Sequence, residues 1–222
     1  MRRLRRAATP VAVLVLGAVL GTTACRQRVA SPAIIPSPAA PVVLFFGDSI
    51  TRGKGVADSE TFPAMIQERL RAERLDYRCV NAGVSGDTTR DGIKRMPPYL
   101  ADPPRVVVVE LGANDTFRGI NRLETRDNLL AIARAFSDVG ARVVIAATLF
   151  SQVHPAYGLS MARMYEAVAH ASESVLIGDL MRGVAGAREL NLPDGIHPNP
   201  QGHARLADTA WPVLRDLLRE LR

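Results

Sequence analysis

Val42-Val43-Leu44-Phe45-Phe46-Gly47-Asp48-Ser49-Ile50-Thr51-Arg52-Gly53 is the stretch that decides the fold. Its five leading apolar residues show no polar alternation. They read as a strand buried on both faces, as in a parallel sheet covered by helices. Gly47 ends the run and permits a tight turn. Asp48 and Ser49 stand at that turn, before a loop punctuated by Gly53 and Gly55. A polar serine just past the carboxyl end of a buried strand sits where open α/β sheets place their chemistry. Ser49 is therefore a candidate nucleophile, and it needs partners from elsewhere in the chain.

Downstream of this turn, helical and strand patterns alternate. Residues 62–75 carry Phe62, Met65, Ile66, Leu70 and Leu75 at helical spacing. Residues 77–81 read as a second strand, closed by Asn81-Ala82-Gly83. Asp87 or Thr88 caps a helix expected to run to about Met96, where Pro97-Pro98 stops it. Residues 106–111 form the clearest strand, apolar except for Glu110, and end in Gly112-Ala113-Asn114-Asp115. A helix follows over 123–139 with Gly140 at its end, then a strand over 142–147. Residues 148–158 read as a loop, 160–171 as a helix, 175–177 as a short strand, and 201–221 as a closing helix with Pro212 as a kink point. This alternation predicts a three-layer α/β/α sandwich of flavodoxin-like type, with about five parallel strands in the order 2-1-3-4-5. No GxGxxG or Walker A pattern is present, which leaves nucleotide binding without support.

The chain has 222 residues, enough for one domain with a sizeable core. Its net charge of +6 comes partly from Arg2, Arg3, Arg5 and Arg6. Without these four, 24 Lys and Arg stand against 22 Asp and Glu, a balance of +2. So mild an excess does not argue for nucleic acid. The same arginines precede an apolar stretch over 10–20 and the small residues Gly21-Thr22-Thr23-Ala24, and Cys25 follows. Residues 1–24 therefore read as a bacterial secretory signal, too short for a transmembrane helix. The residues before Cys25 resemble a lipobox, which makes Cys25 a candidate lipidation site and membrane anchor. The alternative is an ordinary cleaved signal that leaves Cys25 a free thiol. Residues 25–41, with Pro32, Pro36, Pro38 and Pro41, have the composition of a tether, and the folded domain is expected over 42–222. Cys79, in the second strand, is read as a small buried apolar residue.

Three predicted strands end in turns that hold Ser49, Gly83 and Asn114. In a parallel sheet of this order those turns share one edge. Ser49 offers a hydroxyl and its own N–H, Gly83 a closely approachable N–H, and Asn114 a side-chain amide; together they fit an oxyanion hole. A hydroxyl nucleophile needs a base. Asp194 and His197 stand three apart in the Gly- and Pro-rich loop before the last helix, where Asp194 can orient the ring and His197 can face Ser49. Taken singly, most of these residues fit caps and turns as well; their joint occurrence at successive strand ends favours a site. His154, His170 and His203 are read as surface or packed histidines, and Asp87 as a helix cap.

In this order, Gly47-Asp48-Ser49-Ile50, Gly83, Gly112-Ala113-Asn114-Asp115 and Asp194-Gly195-Ile196-His197-Pro198-Asn199 resemble the four blocks of the SGNH (GDSL-type) hydrolases. The stretch Asn81-Ala82-Gly83-Val84-Ser85-Gly86-Asp87-Thr88-Thr89 is similar to that of their periplasmic acyl-CoA thioesterase, lysophospholipase and arylesterase branch. The resemblance spans about residue 42 to the end. Ile50 stands where the family usually has Leu. The resemblance implies an exported serine hydrolase of esters, thioesters or lysophospholipids that needs no metal or organic cofactor. Ser49 is then the nucleophile, His197 the base, Asp194 its orienter, and Ser49, Gly83 and Asn114 the oxyanion hole. In that branch the loop after the fourth strand lines an acyl groove, which points to Leu149, Phe150 and Tyr157; plain loop packing is the other reading. Three rival functions stay open on the residues alone. They are a phosphoesterase with a metal held by Asp48, Asp115, Asp194 and His197, a sugar-acetyl esterase, and a lipid-tethered binding module with a vestigial site.

Overall fold

Alternate side chains of the first strand point into two separate cores. In the computed structural model, which describes residues 37–150 and 155–222, this strand is β1 (Val42–Gly47). Val43 and Phe45 join one apolar cluster, and Leu44 and Phe46 join the other. The signal segment, Cys25 and residues 26–36 lie outside the described residues. Residues 37–41 form a turn seated on the domain: the Ser37 N–H donates to Asp76 Oδ1 at 3.0 Å, and Ala40 is buried.

β1 lies between β2 (Arg78–Asn81) and β3 (Val106–Glu110); β4 (Arg142–Ala146) and β5 (Val175–Ile177) continue the sheet beyond β3. The order is β2-β1-β3-β4-β5 and every pairing is parallel. In register, Phe45 stands beside Asn81 on one side and Val108 on the other, while Gly47 stands beside Glu110. The carboxyl ends of β1, β2 and β3 therefore meet at one edge.

Helices α2 (Phe62–Ala72) and α8 (Pro200–Glu220) cover the face that holds Phe45; its ring meets Phe62 edge-on, centroids 5.4 Å apart. Helices α3 (Thr89–Arg95), α6 (Arg122–Asp138) and α7 (Pro155–Ala171) cover the face that holds Phe46, which packs edge-on against Phe136 at 5.6 Å. Three short α-helices of the described residues lie at or near the strand ends: α1 (Ser49–Arg52), α4 (Pro97–Ala101) and α5 (Ala113–Phe117).

Some local readings change. α3 stops at Arg95 with Met96 as its cap, as expected, but Pro97-Pro98 also opens α4, because proline suits a first helical turn, whose N–H groups are unpaired in any case. For the same reason α7 begins at Pro155, so Tyr157 is helical rather than in a loop. The cap of α3 is Thr88, in a reciprocal box with Asp91, and not Asp87. α8 runs through Pro212 without interruption. Cys79 is half-buried, and burial pushes its thiol well up. Gln67 bonds the exposed flank of the β2 segment at both polar ends, accepting from the Cys79 N–H at 2.7 Å and donating to Tyr77 O at 3.1 Å.

His203 on α8 is a packed histidine. It is 1% exposed, stacks on Phe62, and accepts the Phe62 N–H on Nδ1 at 3.3 Å. Burial lowers its pKa to about 4. The unfolded chain binds this proton near pH 6.5, so between pH 6.5 and about 4 the unfolded state holds more protons and stability is lost as the pH is lowered. Thermal melts should show that slope, and His203→Asn, which keeps an acceptor for the Phe62 N–H, should reduce it. Phe46→Ala should cost about 3–5 kcal/mol in urea unfolding, because its ring is fully enclosed between β1 and α6.

Candidate active site

The turn that carries Ser49 is built from the Gly47 backbone outward. A Cβ on Gly47 would come within 2.1 Å of Thr51 Oγ1 and 2.7 Å of Glu110 O, so only glycine lets α1 fold back against β3. Asp48 caps α1: its Oδ1 accepts the Ile50 N–H at 2.9 Å. Gly53, at φ +75°, ends the helix after one turn. Asp48 thus does the capping, and Ser49 stands as the first helical residue with its hydroxyl free for another partner.

That partner is His197, 148 positions away. Ser49 Oγ lies 2.9 Å from His197 Nε2. His197 Nδ1 lies 2.6 Å from Asp194 Oδ2, while Asp194 Oδ1 accepts the N–H groups of Ile196 and His197, each at 3.0 Å. These bonds, the His197 N–H foremost, hold the Asp194 carboxyl well below the usual carboxylate range. An ionised Asp194 accepts from Nδ1–H, which leaves the Nε2 lone pair for the Ser49 proton. The loop is pinned at its base: the Leu192 N–H donates to His197 O at 2.7 Å, and Asn191 donates to Val184 O and Ala187 O.

The three expected oxyanion donors do not stand alike. The Ser49 N–H has no partner among the described residues. Asn114, in α5, donates through Nδ2 to Asp48 Oδ2 at 2.9 Å and to Asp87 O at 3.0 Å, which puts its amide beside the Ser49 turn. Gly83 is different. Its N–H donates to Asn81 Oδ1 at 3.0 Å, and a Cβ there would lie 2.2 Å from Arg52 N. Gly83 is the glycine that lets the segment after β2 press on α1, and its amide is already engaged. Gly86, at φ +88°, has an N–H with no partner among the described residues and is one peptide from the Asp87 carbonyl that holds Asn114. The sequence carries a signal for it, a second glycine in the same block, which Gly83 overshadowed. Asp87 itself pairs with Arg95 at 2.5 Å; Arg95 also donates to Gly47 O at 2.9 Å and lies 3.8 Å over the Phe46 ring. This arginine ties the Gly86 segment to the Ser49 turn.

Around α5 the structure gathers the other candidates. Phe150 meets Phe117 with ring centroids 6.0 Å apart, and the Tyr157 hydroxyl donates to Thr116 Oγ1 at 3.1 Å. Leu149 and Phe150 are buried, each within the core, whereas Phe117, not anticipated, is 63% exposed. His170 is exposed on α7, and His154 lies outside the described residues. Asp48 and Asp115, proposed as metal ligands in one rival reading, are taken up by N–H and O–H donors; Asp115 accepts the Thr89 N–H at 2.9 Å and the Thr125 hydroxyl at 3.3 Å. Among the described residues no group of three or more His, Cys, Asp or Glu is placed to hold a metal.

Glu110, visible in the sequence only as one charge in an apolar strand, is fully buried beneath the Ser49 turn. It accepts the Thr51 and Thr148 hydroxyls, each at 2.8 Å.

The pattern can be compared with known proteins. The model of the GDSL-like Lipase/Acylhydrolase family matches residues 45–205. The chain belongs to this family. It is an SGNH-type acyl hydrolase with the parallel sheet order of that fold. Esterase TesA of Pseudomonas aeruginosa is 38% identical over 185 residues, covering 81% of this chain and 90% of that protein. Thioesterase 1/protease 1/lysophospholipase L1 of Escherichia coli K12 is 30% identical over 182 residues, covering 81% and 86%. A crystal structure of TesA superposes with a TM-score of 0.75 at 37% identity, covering 79% of this chain and 99% of that one.

Proposed function

We propose that this acyl hydrolase works through an acyl-Ser49 intermediate, with His197 as general base and acid and Asp194 as its orienter. The observation that carries the reading is the continuous relay from Ser49 Oγ through His197 to Asp194, at 2.9 and 2.6 Å. Ser49 Oγ attacks the acyl carbonyl and its proton passes to His197 Nε2. The carbonyl oxygen becomes an oxyanion, met by the N–H groups of Ser49 and Gly86 and by one Asn114 N–H turned from its resting acceptor. Gly86 takes the place first assigned to Gly83. Collapse expels the alkoxide or thiolate, which takes the proton from His197. Water, deprotonated by His197, then attacks the acyl carbon and releases the acid, and Ser49 regains its proton.

The substrates proposed are short to medium acyl or aryl esters, acyl thioesters and lysophospholipids, in keeping with the names of the relatives. Phe117, Phe150 and Tyr157, grouped against α5, supply the apolar wall for the acyl chain, with Leu149 supporting it from the core. Residues 1–24 direct export, and a lipid on Cys25 holds the domain at the bacterial envelope by the Pro-rich tether. Among the described residues no helix is long and apolar enough to cross a membrane.

A chain-length series of nitrophenyl esters and acyl thioesters tests the activity. Ser49→Ala should lower kcat by at least about 10³-fold while keeping the fold. Asn114→Ala should lower kcat by about 10²–10³-fold with a much smaller change in KM, the pattern of a donor used in the transition state. Rates independent of Ser49 would end the reading.

A further inference from the structure

Two carboxyl groups lie under Ser49, and the steps above use neither. Asp48 is 1% exposed and Glu110 0%. Glu110 is the last residue of β3. Its Oε2 accepts the Thr51 hydroxyl at 2.8 Å, the Thr51 N–H at 3.3 Å and the Asp48 N–H at 3.4 Å, and its Oε1 accepts the Thr148 hydroxyl. Asp48 accepts the Ile50 N–H and the Asn114 amide. The Asp48 N–H on Glu110 Oε2 places the two buried carboxyl groups at one turn. All the partners are neutral donors, and among the described residues neither group is in an ion pair.

Two full negative charges at this depth, with no cation against either, would repel strongly. We propose that Asp48 and Glu110 hold one proton between them at neutral pH, with Glu110 ionised and Asp48 neutral, and that Glu110 is a positioning residue for Ser49 and Asn114. The assignment rests on the roles of Ser49 and Asn114 given above. Glu110 keeps the charge because four N–H and O–H donors aim at it, against two at Asp48. Burial, reinforced by the Glu110 charge, pushes Asp48 well above the usual carboxylate range in keeping with this.

The arrangement has two effects on the reaction. Glu110 fastens the Asp48 and Thr51 amides, on either side of Ser49, to the end of β3. A neutral Asp48 binds the Asn114 N–H less tightly than a carboxylate would, because hydrogen bonds to charged acceptors are about twice as strong. Asn114 is then free to lend that N–H to the oxyanion. The charge beneath the forming oxyanion is also one unit rather than two.

The other titratable groups facing the pair are accounted for. From the segment before α3, Asp87 is neutralised by Arg95. In α5, Asp115 is bonded to Thr89 and Thr125. From α7, Tyr165 donates its hydroxyl to Leu111 O at 2.8 Å and Tyr157 donates to Thr116. His197 and Asp194 lie across Ser49 and are bonded to each other.

Infrared spectroscopy of the full chain, labelled with ¹³C-carboxyl aspartate, reads the proton directly. At pH 7 the label should show a protonated carboxylic acid band that Asp48→Asn abolishes. Absence of that band, or its survival in Asp48→Asn, overturns the proposal. Glu110→Gln keeps the shape of the acceptor and removes its charge, so Asp48 should ionise at lower pH. On a soluble nitrophenyl ester, its kcat should fall about 10-fold with KM nearly unchanged, and the alkaline limb of its kcat profile should move to lower pH. A wild-type kcat and pH profile in Glu110→Gln also overturns it. Failure of the nucleophile assignment would appear separately, as activity retained in Ser49→Ala while the infrared band is unaffected.

Discussion

The close approach of the Gly47 backbone to the end of β3 is the constraint on which the site depends. With no Cβ at this position, β1 turns into α1 while still in contact with Glu110, and Ser49 emerges at the rim instead of within the sheet. Everything bound to that turn inherits its position. Asp48 holds Asn114, Arg95 holds the Gly47 carbonyl, and Glu110 holds the amides on either side of the serine. The sheet supplies the rigid floor, since β1 is paired on both sides and every side chain from Val43 to Phe46 is buried. Ser49 mounted on such a floor keeps a fixed orientation at the rim.

The sheet order was legible because its strands are continuous apolar runs separated by helical periodicity, and a parallel sheet leaves few topologies open. The pairing of Ser49 with His197 was legible for a different reason: the residue types at the strand ends are of little use except together. The edges of elements were less so. Pro97 follows the end of α3 but also opens α4, and Pro155 opens α7 inside a stretch that reads as loop, because a helix start needs no N–H from its first residue. Thr88 and Asp87 are both good caps, and only the Arg95 guanidinium, arriving from the next turns, decides which side chain is left for capping.

The glycines of the block after β2 show what sequence order alone leaves out. Gly83 and Gly86 carry the same chemistry on paper. One is demanded by packing against the Arg52 backbone, the other by a positive φ, and only the second leaves an amide unspent. Glu110 was similarly hard to read. A charge in a buried strand looks like an exception to a pattern until its donors, from Thr51 and Thr148, are seen in three dimensions.

Asp194 and His197 belong to one short loop, and Asp194 accepts both the ring and the backbone N–H of His197. Acid and imidazole therefore travel as a single cassette whose internal alignment is set by four consecutive residues. The wider architecture has only to maintain one long-range separation, that between this cassette and the serine. Such a division tolerates drift in the intervening helices, insertions included, so long as the anchoring of Asn191 and Asn199 at the loop base is kept.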